Sequence, residues 1–119
     1  MEDRRGQAIT LAHTISTHVL DTETGKPARD VPVRLVRILA DGAVIAAGRG
    51  RTDEDGRIRT LLEGELKAGV YRLTFEVHEY RPQCFFREVT LEILVDDVKR
   101  SYHVPLLIAP YGISSYRGS

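Results

Sequence analysis

Hydrophobic and polar residues alternate along much of this chain with a period of two, which is the pattern of β-strands buried on one face. In one clear stretch, Tyr71 and Leu73 fall on one face of a strand and polar residues fall on the other. The stretch around Ile15 has the same pattern, with His18 on the opposite face. We therefore predict strands over residues 15–20, 31–38, 43–47, 57–61, 71–77, 89–95 and 102–108.

Turn-forming residues separate the predicted strands. Residues 21–30 are rich in Asp, Thr, Gly and Pro, the Asp41-Gly42 pair is a hairpin signal, and residues 53–56 have the composition of a tight turn. The alternation fails over residues 79–86, where we expect one turn of helix.

These elements indicate an all-β domain. Short strands without a convincing long helix favour antiparallel strands arranged as a two-sheet sandwich. Pro105 has no N–H to donate, so we expect it at a sheet edge or a bulge. A chain of 119 residues allows one compact domain with a buried core. We assign that domain to residues 13–119 and expect residues 1–12 to be a loosely ordered N-terminal extension.

The composition argues against several classes of partner. The 17 Lys and Arg residues balance the 17 Asp and Glu residues, which gives no electrostatic reason to propose binding to a nucleic acid or an anionic membrane. Cys84 is the single cysteine, so an internal disulfide is impossible and a reducing compartment is favoured. The sequence has neither a secretory signal pattern nor an apolar run of membrane-spanning length. We therefore expect a cytoplasmic protein.

Four histidines, His13, His18, His78 and His103, raise the question of a metal site. His13 and His18 are five residues apart, which places them on opposite faces of one extended strand. The sequence also lacks a cysteine cluster or a carboxylate at a recognised ligand spacing, so we predict no metal. The TDEDGR stretch is unsuited to calcium, because Arg51 would take the first ligand position.

Two of these histidines are candidates for acid–base chemistry. Histidine titrates near neutral pH, so His18 and His103 could divide the tasks of taking and returning a proton if they faced one cavity. Arg49 and Arg51 could meet a phosphate or a carboxylate, although a solvated strand end explains them as well. Cys84 has no neighbouring residue that would activate a thiolate, so we expect a structural thiol.

Three stretches taken together resemble one protein family. They are STHVLDTETGKPA over residues 16–28, TDEDGR over residues 52–57 and YHVPLLIAPYGISSYRGS over residues 102–119. This ordered set resembles the 5-hydroxyisourate hydrolases, the enzymatic branch of the transthyretin-like proteins, whereas the vertebrate hormone carrier of the same fold lacks the YRGS ending. The resemblance implies a transthyretin (prealbumin)-like sandwich of about eight strands with one short helix. It also implies a homotetramer with active sites in clefts between subunits.

The resemblance further implies which residues form the site. Catalytic roles are implied for His18, Arg57, His103 and Ser119. Substrate binding is implied for His18, Arg57, Tyr116, Arg117, Gly118 and Ser119. No cofactor and no metal are implied. The chain departs from the family at Arg87, where a proline often follows two phenylalanines, and at Ile113, where tyrosine is frequent.

The implied reaction opens the six-membered ring of 5-hydroxyisourate, an oxidised purine of urate degradation. Because water attacks an amide-type carbonyl, a base must take a proton, a cation must meet charge on oxygen, and the leaving nitrogen must be protonated. We expect His103 to be the base and His18 to position it or return the proton, a division that the sequence leaves open. Arg57 would hold substrate carbonyls through its planar fork. Ser119 would hold water or substrate through its hydroxyl or carboxylate.

Two other functions fit the predicted fold. A transthyretin-like sandwich could bind a small aromatic ligand without transforming it, since architecture does not determine function. A structural or interaction domain could instead use an exposed strand edge. The first alternative does not explain the two histidines, Arg57 and YRGS together, and the second has no dedicated recognition motif in this sequence.

Overall fold

The computed structural model describes residues 13–119, which fold into two β-sheets. The N-terminal extension predicted over residues 1–12 lies outside the described residues. Within the described part, no helix is long and apolar enough to cross a membrane. Its elements are β1 Ile15–Asp21, β2 Lys26–Pro27, β3 Pro32–Ile38, β4 Val44–Arg51, β5 Arg57–Ile58, β6 Gly69–Phe75, α1 Val77–Tyr80, β7 Val89–Val95, β8 Tyr102–Ile108 and β9 Ile113–Ser115.

The strand order places both ends of the described chain in the first sheet. That sheet has the order β2-β1-β8-β9, with β5 also paired to β1, and the second sheet has the order β4-β3-β6-β7. β1 and β8 run parallel, with Ile15 opposite Tyr102. Our expectation of antiparallel strands is wrong for this pair. The connection from β1 to β8 is not a hairpin but a long crossover that includes the whole second sheet, and such a crossover allows parallel pairing.

Inward-facing side chains of both sheets form the hydrophobic core. Burial alternates along β1, where Ile15, Thr17 and Val19 are buried and the residues between them are partly exposed. The Thr17 hydroxyl donates to the backbone oxygen of Val104 at 2.6 Å, which ties β1 to β8. Leu73 is buried on the inner face of β6 as predicted. The outer face of β1 is therefore free to carry polar groups.

The helix begins earlier than the sequence pattern indicated. We expected a helical turn within residues 79–86 and a strand continuing to residue 77, whereas α1 spans Val77–Tyr80. Val77 is buried, and its backbone oxygen accepts the Arg81 N–H, which closes the turn. Arg81 is already extended, with φ −138° and ψ 99°. Pro82 follows it, and a proline disfavours helical backbone in the residue before it, so the helix ends here.

The main differences from the predicted strands lie in β2, β4, β5 and β9. β2 is a two-residue strand within residues 21–30, which we expected to form a turn. β4 runs to Arg51, past the expected end at residue 47, because a register shift opposite Leu35 and Val36 absorbs one residue and lets pairing continue. β5 has two residues rather than five, because the chain turns away from β1 after Ile58. β9 was not predicted, since an alternating pattern is not recognisable over three residues.

Pro105 lies inside a sheet rather than at its edge or at a bulge, so that expectation is wrong. It belongs to β8, which has β1 on one side and β9 on the other. β9 ends at Ser115, opposite Leu106, and the Ser115 hydroxyl donates to the Pro105 backbone oxygen at 2.7 Å. Pro105 therefore faces a point where the neighbouring strand has ended, and its missing N–H interrupts no ladder there.

Candidate functional site

The register of the first sheet brings three predicted site residues to one outer face. His18 in β1 lies opposite Arg57 in β5, and Ser16 in β1 lies opposite His103 in β8. Residues 16 and 18 are two apart, so their side chains point to the same side of the sheet. Arg57 and His18 both interact electrostatically with the His103 ring. The fold therefore gathers two imidazoles and a guanidinium.

The turn over residues 53–56 places Arg57 against β1. The Asp53 carboxylate accepts the Arg57 N–H at 2.9 Å, and this hydrogen bond lowers the pKa of Asp53. Gly56 has a φ of +74°, and its backbone oxygen accepts the Val19 N–H at 2.7 Å. A side chain at Gly56 would overlap the backbone oxygen of Val19, so the turn requires glycine to lie this close.

The His103 ring is hydrogen-bonded to a side chain of β1. Its Nδ1 lies 2.8 Å from the Ser16 hydroxyl oxygen. Burial lowers the pKa of His103 below its ordinary value of 6.5, and the charges of Arg57 and His18 lower it further. The imidazole is therefore predominantly neutral at pH 7 and can accept a proton.

Two of the last residues lie beside His103. The Gly118 N–H donates to the His103 backbone oxygen at 2.8 Å. A Cβ at Gly118 would stand 2.5 Å from His103 Cδ2, so only glycine lets the chain pass this close to the ring. Ser119 then reaches the cleft that Arg57 and His103 border.

Tyr116 and Arg117 lie away from this cleft. The Arg117 guanidinium carbon lies 5.0 Å from the centre of the Tyr102 ring, in a cation–π contact. The Tyr102 hydroxyl donates in turn to Asp96 at 2.7 Å. Tyr116 is exposed and borders a second hollow, of about 340 Å³, between the C-terminal residues and β7. Arg117 is thus anchored to β8 and directs the chain toward Gly118.

An open cleft of about 690 Å³ lies on the outer side of the first sheet. Its border combines positive charge, hydroxyl groups and a neutral imidazole, which suit a small polar substrate that carries carbonyl groups. The bordering residues are Ser16, Arg57, Arg100, Ser101, His103 and Ser119. His18 is adjacent to this border, opposite Arg57 in the strand pairing.

The other sequence candidates have contacts of their own. His78 Nδ1 lies 2.7 Å from a backbone oxygen of the segment after α1. Arg51 forms exposed ion pairs with Asp30 at 3.6 Å and Glu79 at 3.9 Å, as a solvated strand end would. Cys84 is buried. Across residues 13–119, His, Cys, Asp and Glu side chains form no group of three that could hold a metal ion.

Comparison with known proteins places this chain within a family. Residues 15–118 match the model described as the HIUase/Transthyretin family. The chain belongs to the HIUase/Transthyretin family. A relative in this family, the 5-hydroxyisourate hydrolase of Halalkalibacterium halodurans, is 40% identical over 115 residues. The match covers 88% of this chain and 97% of that protein.

Two solved structures of the family share the fold. The 5-hydroxyisourate hydrolase of Klebsiella pneumoniae has a TM-score of 0.78 and 36% identity, covering 90% of this chain and 99% of that one. Sea bream transthyretin in complex with thyroxine has a TM-score of 0.81 and 25% identity, and the match covers 87% of this chain and 93% of that one. The predicted transthyretin-like sandwich is confirmed. Since a hydrolase and a thyroxine complex share it, the fold alone does not decide the function.

Sequence reasoning missed Ser16, although a signal for it was present. Ser16 stands in the STHVLD stretch and precedes His18 by two residues, which places both side chains on one face of β1. Its contact with His103, 87 residues away, depends on the parallel pairing of β1 and β8, which local patterns do not reveal. Arg100 and Ser101 carried no signal, because they lie in the connection before β8.

Proposed function

We propose that this family member is a 5-hydroxyisourate hydrolase of urate degradation, which opens the six-membered ring of 5-hydroxyisourate by attack of water on an amide-type carbonyl. The observation that carries the proposal is the meeting of His18, Arg57 and His103 on one face, beside Gly118 and Ser119. The relatives named for this activity support it. Side chains alone supply the proton transfer and charge stabilisation, so the proposal includes no cofactor.

His103 is the general base of this reaction. It is predominantly neutral at pH 7, because burial and the electrostatic interactions with Arg57 and His18 lower its pKa. It takes a proton from water as the water oxygen bonds to the carbonyl carbon, a form of catalysis that contributes about 10²–10⁴-fold to the rate. His18 shares the proton transfers, either by positioning the base or by returning a proton to the nitrogen as the ring C–N bond breaks.

Arg57 stabilises the charge that develops on the carbonyl oxygen. Its planar guanidinium stays protonated and can donate two parallel hydrogen bonds. Ser119 completes the catalytic set by holding water or substrate through its hydroxyl or carboxylate. Gly118 and Ser119 contribute to the substrate site together with His18 and Arg57, whereas Tyr116 and Arg117 contribute indirectly, as the part of the C-terminal segment that leads into the cleft. The anchoring of Arg117 on the Tyr102 ring supports a role in fixing this segment.

The working form of the enzyme is a homotetramer in the cytoplasm, with sites in clefts between subunits. The cleft of one subunit is open, whereas charge stabilisation by Arg57 is stronger where water is excluded. Exposed apolar side chains, among them Leu94 and Tyr111, are available for subunit contacts. We expect light scattering to give the mass of four chains. An active monomer would contradict this assembly.

A second candidate function is binding of a small ligand without chemistry. The likeness to sea bream transthyretin, solved with thyroxine, favours it. Ligand binding alone, however, gives no reason for a neutral His103 to stand beside Arg57 and His18. Saturable binding of thyroxine by a protein that leaves 5-hydroxyisourate unchanged would favour the second candidate.

Freshly generated 5-hydroxyisourate tests the hydrolase directly, through the decay of its ultraviolet absorbance. We expect the purified protein to accelerate the decay near neutral pH. The pKa of His103 lies below 6.5, and the value of kcat/KM should fall as the pH is lowered through that pKa, because the imidazolium cannot take a proton. Decay no faster than in buffer would rule out the hydrolase.

A further inference from the structure

The Ser16 hydroxyl is the partner of the His103 ring on the β1 side. The parallel pairing of β1 and β8 sets these two residues opposite each other, and Ser16 Oγ lies 2.8 Å from His103 Nδ1. Both residues are partly buried and border the same cleft. Within residues 13–119, no second side chain is hydrogen-bonded to this ring.

The surroundings of the ring leave one nitrogen for the reaction. Nδ1 is engaged by Ser16, and Gly118 packs against Cδ2 so closely that a Cβ would stand 2.5 Å away. Nε2 is therefore the nitrogen left for the cleft. Its role depends on which nitrogen carries the proton in the neutral ring, because the protonated nitrogen donates a hydrogen bond and the other accepts one.

The charges around His103 favour a lone pair on Nε2. A hydroxyl can donate or accept, so the 2.8 Å contact alone fits either tautomer. Arg57 and Arg100 border the cleft together with the single carboxylate of Ser119, so positive charge predominates there. A nitrogen lone pair that faces this positive charge is more stable than an N–H group would be. The charged or titratable groups that act on His103 or border the same two hollows are His18 from β1, Arg57 from β5, Arg100 from the connection before β8, Tyr102 from β8, Glu92 from β7, and Tyr116, Arg117 and the Ser119 carboxyl group from the C-terminal segment.

We propose that Ser16 is a positioning residue for His103, whose hydroxyl accepts the Nδ1–H of the neutral ring and so keeps the Nε2 lone pair available to the cleft. The role in catalysis rests on the proposed hydrolase function. The proton of the attacking water passes to Nε2, and Nδ1–H stays bonded to Ser16 throughout. This hydrogen bond strengthens when the ring becomes an imidazolium, since a charged donor makes the stronger bond.

Three variants separate this role from a merely structural one. Ser16→Ala removes the acceptor, Ser16→Thr keeps a hydroxyl at the same position, and Ser114→Ala removes an exposed hydroxyl from β9 of the same sheet. We expect Ser16→Ala to lower kcat by up to about 10²-fold with little change in KM, because a ring that has lost this hydrogen bond can be misplaced by about 1 Å. Ser16→Thr should recover most of the rate, and Ser114→Ala should match the wild type.

The pH profile reports the direction of the hydrogen bond. If Ser16 accepts from Nδ1–H, its loss destabilises the imidazolium more than the neutral ring, so the acid limb of kcat/KM should move to lower pH in Ser16→Ala. A shift to higher pH would show that Ser16 donates, which contradicts the proposal. An unchanged profile with an unchanged kcat would contradict it equally.

Nitrogen-15 NMR of the His103 ring gives a readout that does not require activity. In the wild-type protein above the His103 pKa, we expect the proton on Nδ1 and a bare Nε2, with a mixture of tautomers in Ser16→Ala. A wild-type ring protonated at Nε2 would overturn the proposal even if 5-hydroxyisourate is hydrolysed. If the predicted tautomer and its dependence on Ser16 are found in a protein without hydrolase activity, the proposed function fails and the positioning contact stands.

Discussion

Gly118 packs closely against His103, the residue that we propose as the general base. The Gly118 N–H donates a hydrogen bond to the His103 backbone oxygen. The Gly118 Cα lies so close to the His103 ring that no Cβ could be added. The ring is therefore held by Gly118 on one edge and by Ser16 on another. Catalysis by a general base depends on such placement, because the base must lie within hydrogen-bond reach of the water.

We expect Gly118→Ala to impair catalysis through His103 rather than through stability. The added methyl group must displace the ring or the chain end, and a misplacement of about 1 Å can cost about 10²-fold in rate. The matched control is Gly112→Ala, where a Cβ meets nothing within 4 Å. Measurements of kcat/KM and Tm should show a large loss of rate for the first variant only, with similar Tm values. Equal rates would contradict the packing argument.

Among the elements, the turn over residues 53–56 has the most direct effect on the site. It brings Arg57 opposite His18. The Asp53 carboxylate accepts hydrogen bonds from two backbone N–H groups of the turn, and the Gly56 backbone packs directly against β1. The turn was predictable from TDEDGR, because Asp and Gly act through local backbone chemistry. Its contact with Val19 was not predictable, because it joins segments that only the folded sheet brings together.

Gly56→Ala should destabilise the fold and displace Arg57. Gly25→Ala is the matched control, because Gly25 has the same φ of +74° but nothing within 4 Å of an added Cβ. Each variant forces alanine into left-handed backbone at a cost of about 1–3 kcal/mol, and Gly56→Ala adds the overlap with Val19. Urea unfolding should show the larger loss of stability for Gly56→Ala. A smaller loss than in Gly25→Ala would contradict the close approach to β1.

For the molecule as a whole, the sequence predicted which faces of the two sheets are buried better than it predicted which strands pair. The period-two pattern of β1 and β6 identified the inner faces, because side-chain alternation is a local property. The parallel pairing of β1 with β8 joins segments about 87 residues apart, and no local pattern encodes it. The candidate residues His18, Arg57, His103 and Ser119 came from the family resemblance, while the residue pattern placed only the histidines on outer faces. Ser16 needed the observed register.

The kcat/KM of His103→Ala on 5-hydroxyisourate tests the central claim most directly. His13→Ala is a matched control, because His13 lies at the start of the described chain and borders a different hollow, next to Leu66 and Val98. We expect His103→Ala to lose at least about 10²-fold in kcat/KM, the lower range for a general base, while His13→Ala keeps the wild-type value. Wild-type activity in a folded His103→Ala protein would contradict the account.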